Sequence, residues 1–179
     1  NENEEQQLKT LAIHDFETYQ HCSSSIAVAI NFSLGLRVGE LVALKWKDLK
    51  DHYLHIRRME QRQYEQSTDG TWHSHLEVVE HTKTNRDRFV VLVPKAVALL
   101  QKLDRTDGYI FTRNGERLTS RQIAYVLEKY AETKGISTKS THKMRKTFAS
   151  NLNAAGVPLD CIRELLGHSN LSTTLGYIY

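Results

Sequence analysis

The chain has 179 residues, 40% of them apolar, enough for one domain with a substantial core. Its formal charge of +3 permits nucleic-acid binding without demanding it, and nothing approaches the roughly 18 consecutive apolar residues of a membrane span. The two cysteines, Cys22 and Cys161, have no metal-ligand spacing and point to a reducing compartment.

Residues 1–10 read as a linker or frayed N-terminus, because Asn1 to Gln7 are acidic and polar. There is no signal peptide, and the polar start without an initiating Met suggests a piece of a longer protein. Ile13 to about His21 reads as a short polar helix. Ser24 to Leu34 is an apolar run rich in Ala, Ile and Val, a buried helix that Gly35 ends. Arg37 then falls at a helix-to-helix turn, with Leu41, Leu44 and Trp46 as the apolar face of the next short helix.

From Leu49 to Val93 the period approaches two. Tyr53, Leu54 and Ile56 form one run, Leu76, Val78 and Val79 another, and Phe89 to Val93 a third. Thr68-Asp69-Gly70-Thr71 and Asn85-Arg86-Asp87 are turn signals between them. The reading is a three-stranded antiparallel sheet, with a long polar stretch, Arg57 to His75, between its first two strands. Pro94 closes the last strand and opens a helix through Leu103. After a Tyr109-Ile110-Phe111 turn, Ser120 to Thr133 is helical, capped by Thr119 or Ser120 and stopped by Gly135. Lys143 to Ala155 and Leu159 to Leu166 are two more helices, ended by Gly156 and Gly167, and Ser172 to Tyr179 begins another. The fold class is mainly α with a small three-stranded antiparallel β-sheet, an α+β domain over residues 11–179.

The last third carries the sharpest chemical pattern. His142-Lys143-Met144-Arg145 is followed by Leu166-Gly167-His168, the His 23 residues after Arg145, and then by Tyr177 nine residues later. Upstream stand Gly35-Leu36-Arg37-Val38-Gly39-Glu40 and His81-Thr82-Lys83-Thr84. The order Arg, Lys, His-x-x-Arg, His, Tyr resembles the catalytic domain of the tyrosine recombinases, or phage-type integrases, over nearly the whole chain from about Leu11 to Tyr179. His-x-x-Arg alone is a weak signal. The full set in this order and spacing is a strong one.

The chemistry explains why such a family needs these residue types. A scissile phosphodiester carries one negative charge and gains another in its pentacoordinate transition state. Arginine's planar fork gives two parallel hydrogen bonds to phosphate oxygens and keeps its charge, so Arg37 and Arg145 suit both non-bridging oxygens. Taken alone, each is an ordinary surface arginine; together with the rest they match the family's pair. Glu40 is placed to fold back on Arg37 and hold its guanidinium. The resemblance makes Lys83 the proton donor to the departing 5′ oxygen. His142, on one helix face with Arg145, would bond a non-bridging oxygen and is also a candidate acceptor of the tyrosine proton. His168 would contact the same phosphate. No carboxylate or Cys stands at a spacing that completes a metal site with these histidines.

Tyr177 and Tyr179 both offer a nucleophile. The family's spacing selects Tyr177, which needs an arginine-rich field and a nearby acceptor to attack. The Ser169–Thr174 segment would cap the tyrosine-bearing helix. Only two residues follow Tyr177, so the family's C-terminal tail and its N-terminal core-binding domain are expected to lie outside this chain.

The resemblance implies site-specific DNA recombination or integration through a 3′-phosphotyrosyl link, with no cofactor and no metal. It implies double-stranded DNA as substrate, a homotetramer on two duplexes when full length, accessory DNA-bending or directionality factors, and a bacterial cytoplasmic, nucleoid-associated setting. Type IB topoisomerase-like relaxation, a non-catalytic DNA-binding factor of the same fold and a metal-dependent nuclease are the competing readings. The long polar stretch inclines the reading to a mobile-element integrase over a chromosome-dimer resolvase. Lys139, Lys143, Lys146, Arg113 and Arg121 are candidate contacts to the DNA backbone, which carries affinity but no sequence information.

Overall fold

The computed structural model describes residues 2–19, 22–137 and 140–178. Helix α1, Glu2–Tyr19, begins well before the expected Ile13, so the acidic opening turns are helical and not a linker. Leu8, Ala12 and Phe16, one helical face at four-residue steps, are all buried. Glu5 is buried too, and accepts a hydrogen bond from Asn151 Nδ2 at 2.7 Å, which anchors the start of α1 to a helix far along the chain. Acidic composition hid this from the sequence, because the one apolar residue in those turns, Leu8, is the one that matters.

Helix α2, Ser23–Leu34, is buried along nearly its whole length and packs against α1 and three later helices. A helix that is apolar all round requires such surroundings. It ends at Gly35, whose φ of +59° is left-handed, and a Cβ there would lie 2.2 Å from the Phe148 ring. The buried Asn31 amide then bonds both backbone groups of Leu36, at 3.0 and 3.2 Å, and so fixes the turn that delivers Arg37. Helix α3, Val38–Val42, is shorter than expected, and a single 3-10 turn, Trp46–Asp48, follows.

The sheet differs in membership from the expectation. Strand β2, Tyr53–Ile56, lies between β1, Leu49–Lys50, and β5, Arg88–Val91, all antiparallel. Between them, β3, Met59–Gln66, and β4, Trp72–Val79, form a separate two-stranded ribbon paired from Met59↔Val79 to Gln66↔Trp72. Leu76, Val78 and Val79 therefore belong to this ribbon, and the polar stretch supplies their partner strand. Beyond its base the ribbon buries nothing, so no alternation of apolar residues marked β3. That base is pinned: Arg58 pairs with Asp48 and Glu80, and Glu60 accepts from Arg117 Nη1 at 2.6 Å and from the Ser120 N–H at 3.0 Å.

Helix α4, Pro94–Leu100, stops before the expected Leu103. The hairpin β6–β7, Thr112–Arg113 and Glu116–Arg117, leads to α5, Ser120–Thr133, which matches the expected bounds. Thr119 caps it reciprocally with Gln122. Helices α6, Thr141–Ala154, and α7, Leu159–Leu166, follow, and α8, Leu171–Leu175, ends two residues before Tyr177. Phe148, Ala149, Ile162 and Leu166 form a small apolar cluster of their own, against which Tyr177 packs. No helix among the described residues is long and apolar enough to cross a membrane.

Candidate active site

The turn after α2 places Arg37 at the N-cap of α3 and puts Glu40 one turn further in. Glu40 is completely buried. Its Oε1 accepts from Arg37 Nη1 and from Arg88 Nη1, both at 3.0 Å; its Oε2 accepts from Arg88 Nη2 at 2.7 Å and from the Arg37 backbone N–H at 3.0 Å. Burial pushes this carboxyl's pKa up, but the fork of Arg88 and the charges of Arg88, Arg37 and Arg145 outweigh it and hold the pKa below the ordinary range. Glu40 thus stays ionised where an unpaired buried carboxylate could not.

Arg145 rises from α6 and is almost wholly buried. It donates to the Gly35 carbonyl at 2.6 Å and to the Leu166 carbonyl, while its Nε has no hydrogen-bond partner among the described residues. Burial, with Arg37 and Arg88 adding to it, pulls its pKa down to about 10, so it remains cationic at neutral pH.

Tyr177 sits in the turn after α8, its N–H bonded to the Thr174 carbonyl at 2.9 Å and its own carbonyl accepting from Ser150 Oγ at 3.2 Å. Its ring stands edge-on between two imidazoles, His142 at 4.8 Å and His168 at 4.7 Å between centroids. Its hydroxyl is 3.2 Å from His142 Nδ1. The guanidinium carbon of Arg145 and the ammonium of Lys146 lie 5.9 and 5.6 Å from the ring centre.

The two histidines have different surroundings. His142 is largely exposed, and the partial desolvation of its ring first, then the charges of Lys146, Arg145 and Arg37, lowers its pKa. His168 is buried; Nδ1 lies 3.0 Å from Thr174 Oγ1, and Nε2 has no partner among the described residues. Burial and the charges of Arg145, Arg37 and Arg88 push its pKa down to about 4, so the ring is neutral at pH 7.

The structure therefore brings Arg37, Glu40, His142, Arg145, His168 and Tyr177 together. Lys83 stands apart from that network: it is exposed, and no hydrogen bond or ion pair joins it to another described residue. Its turn is nevertheless well fixed, because Thr82 Oγ1 donates to the Arg86 carbonyl at 2.8 Å and accepts from the Arg86 N–H at 3.2 Å. A cavity of about 270 Å³, lined by Thr84, Arg86, Arg88 and His168 among others, connects this turn to the site. Lys143 and Lys146 lie on the helix of His142, Arg113 is exposed in β6 and Arg121 at the start of α5. Lys139 and Tyr179 lie outside the described residues. Sequence reasoning assigned no role to Arg88 and gave Thr174 only a share in capping the last helix; nothing local to either residue marks its partner. No group of three or more His, Cys, Asp or Glu side chains among the described residues is arranged to hold a metal ion.

The phage integrase family model matches residues 2–179. Tyrosine recombinase XerC of Thermodesulfovibrio yellowstonii is 32% identical over 152 residues, covering 83% of this chain and 47% of the relative. Tyrosine recombinase XerA of Thermococcus kodakarensis is 33% identical over 161 residues, 85% of this chain and 49% of that protein. The chain thus spans about half the length of these curated relatives. Among solved structures, a XerA recombinase superposes with a TM-score of 0.74 at 22% identity, over 100% of this chain and 57% of that one. XerH bound to its difH substrate superposes with a TM-score of 0.71 at 19% identity, over 100% and 49%.

Proposed function

The chain belongs to the phage integrase family, and on that footing we propose that it is the catalytic domain of a site-specific recombinase that cuts and rejoins DNA through Tyr177. The observation that carries the reading is the Tyr177 hydroxyl, 3.2 Å from His142 Nδ1, on a ring whose centre lies 5.9 Å from the Arg145 guanidinium carbon, all within one chain. That arrangement supports the reading, because a nucleophile needs an acceptor for its proton and a cation for the transition-state charge, and His142 and Arg145 can supply them in cis.

In the proposed reaction the Tyr177 oxygen attacks the phosphorus and its proton passes to His142 Nδ1. The bond to the 5′ oxygen breaks, that oxygen takes a proton from Lys83, and a 3′-phosphotyrosyl link remains. Arg37, Arg145 and His168 hold the non-bridging oxygens. Glu40 acts on none of the reacting atoms and holds Arg37. A 5′ hydroxyl from a partner strand reverses the steps, and the covalent link keeps the phosphodiester energy, so ATP is not consumed. Double-stranded DNA is the substrate in this reading, and the full-length protein works as a homotetramer on two duplexes with accessory DNA-bending or directionality factors. The reading extends to a mobile-element integrase; the polar stretch that suggested it is the β3–β4 ribbon.

Covalent trapping tests it. Wild-type protein and Tyr177→Phe are incubated with labelled, nicked DNA in EDTA, and protein–DNA adducts are resolved in SDS. The expected result is an adduct with wild type that Tyr177→Phe abolishes. An adduct that survives Tyr177→Phe would assign the chemistry to another residue, and Tyr179→Phe run alongside identifies whether it is that tyrosine.

A further inference from the structure

Three successive carbonyls at the end of α7 each accept a hydrogen bond from a different arginine. Leu165 takes Arg88 Nε at 2.8 Å, Leu166 takes Arg145, and Gly167 takes Arg37 Nη2 at 3.3 Å. A helix C-terminus leaves its last carbonyls unpaired and carries partial negative charge, so it attracts cations. Here it gathers both arginines of the proposed reaction, and a third that the reaction does not use.

Arg88 comes from β5 and is only 9% exposed, so it is not set out in solvent to meet DNA. Its two terminal nitrogens reach both oxygens of Glu40, at 3.0 and 2.7 Å. Its guanidinium also lies against Gly167, where an added Cβ would be 2.9 Å from Arg88 Nη1. The consequence for Arg37 follows from counting acceptors. Arg88 occupies Glu40 Oε2 and shares Oε1, which leaves the Arg37 side chain a single contact, at Oε1. Without Arg88, the Arg37 fork could close on both oxygens as a bidentate pair, the geometry that arginine and carboxylate favour. That would turn Arg37 away from Gly167 and spend the donors a phosphate needs.

We infer that Arg88 is a positioning residue for strand cleavage, holding Glu40 so that Arg37 keeps its fork open, and tying both to the carbonyl end of α7. The inference rests on the tyrosine-cleavage reading above. A lysine cannot replace it, since one ammonium cannot fork onto Glu40 and reach the Leu165 carbonyl together.

The test uses the full-length protein with Arg88→Ala and Arg88→Lys, and nicked DNA in excess. The amplitude of adduct formation counts competent molecules, and the rate constant reports the chemistry. Arg88→Ala should lower the rate constant about 100-fold, the scale of a small misplacement of catalytic groups, with the amplitude unchanged. Arg88→Lys, which keeps the charge and so the fold, should lower it at least about tenfold. Combined with Arg37→Lys, either change should add little to the loss caused by Arg37→Lys alone, because the residues act in series. Loss of amplitude at an unchanged rate constant would overturn the inference, as would losses in the double variant that multiply. Absence of any adduct with wild type would instead sink the tyrosine-cleavage reading, whatever Arg88 does.

Discussion

The Tyr177 hydroxyl and His142 Nδ1 are 3.2 Å apart, joined across 35 residues by the packing of the turn after α8 on α6. Tyr177 is held there by its backbone and by its ring, which lies against the Phe148, Ile162 and Leu166 cluster. If Tyr177 is the nucleophile proposed above, it is thereby held in its own chain's site before DNA binds, which limits the reorganisation that cleavage requires.

If His142 takes the tyrosine proton, cleavage needs its neutral form. Its pKa lies below the ordinary value of 6.5, so the ring is already neutral at pH 7. Acid that protonates it removes the acceptor. The rate constant for adduct formation should therefore be level from about pH 7 upward to pH 8 and fall in acid, with the fall beginning below where an ordinary histidine titrates. His142→Gln should lose the acid limb together with about 10²-fold or more of the rate. A profile unchanged by that substitution would remove His142 from the proton transfer.

His168 makes a prediction about stability. Its folded pKa of about 4 lies below the unfolded value of 6.5, so below pH 6.5 the unfolded chain binds a proton that the folded one refuses. The sign is therefore loss of stability as pH falls from 6.5 toward 4, and no loss from this group above 6.5. The full effect is roughly 3–3.5 kcal/mol, most of it reached by pH 4.5. Urea midpoints measured between pH 4.5 and 7.5 should show it, and His168→Gln should flatten that part of the curve. Parallel curves for the two proteins would rule the assignment out.

What the sequence reveals and hides follows from the range of each signal. Helix α5 was legible because Ile123, Leu127, Tyr130 and Ala131 recur at helical spacing behind a Thr119 cap, all within one local segment. Helix α7 was legible because Gly167 marks its end. Arg88 was not, since its partners Glu40 and Leu165 are 48 and 77 residues away and nothing near it in the chain points to either. Of the β3–β4 ribbon only the run at Leu76, Val78 and Val79 was legible; β3 was hidden for the opposite reason, since it makes backbone pairs without burying an apolar face, so no period-two pattern was needed. The candidate set itself was readable from its order along the chain, but the convergence of those side chains required the fold.

Gly167 joins two constraints that predict the effect of one methyl group. Its φ is +63°, and a Cβ would lie 2.9 Å from Arg88 Nη1 and 3.2 Å from its Cζ. The backbone strain alone costs about 1–2 kcal/mol for alanine. Gly167→Ala should therefore lower the urea-unfolding free energy by at least that much and also slow adduct formation, because Arg88 must move. Gly156→Ala is the control: its φ of +81° gives similar strain, but no atom lies within 4 Å of the added methyl. Equal effects of the two changes on cleavage would separate Gly167 from Arg88.

The outer ribbon should be dispensable for folding. Its base is fixed by Arg58 and Glu60, whereas from Gln61 to Glu77 no side chain is fully buried and Tyr64 and Trp72 are 66% and 64% exposed. Two-stranded ribbons of this kind add little stability of their own. Replacing residues 63–75 with a two-residue Asn-Gly turn keeps the Arg62↔Leu76 pair next to the new turn and preserves the register of the base. The thermal midpoint should then shift by less than about 3 °C, equivalent to under about 1 kcal/mol for a domain of this size. A larger drop would mean that the ribbon's aromatic face packs on the body of the domain in solution. If the midpoint holds, any loss of recombination on long DNA by this variant measures what the ribbon does outside its own chain, free of a folding defect.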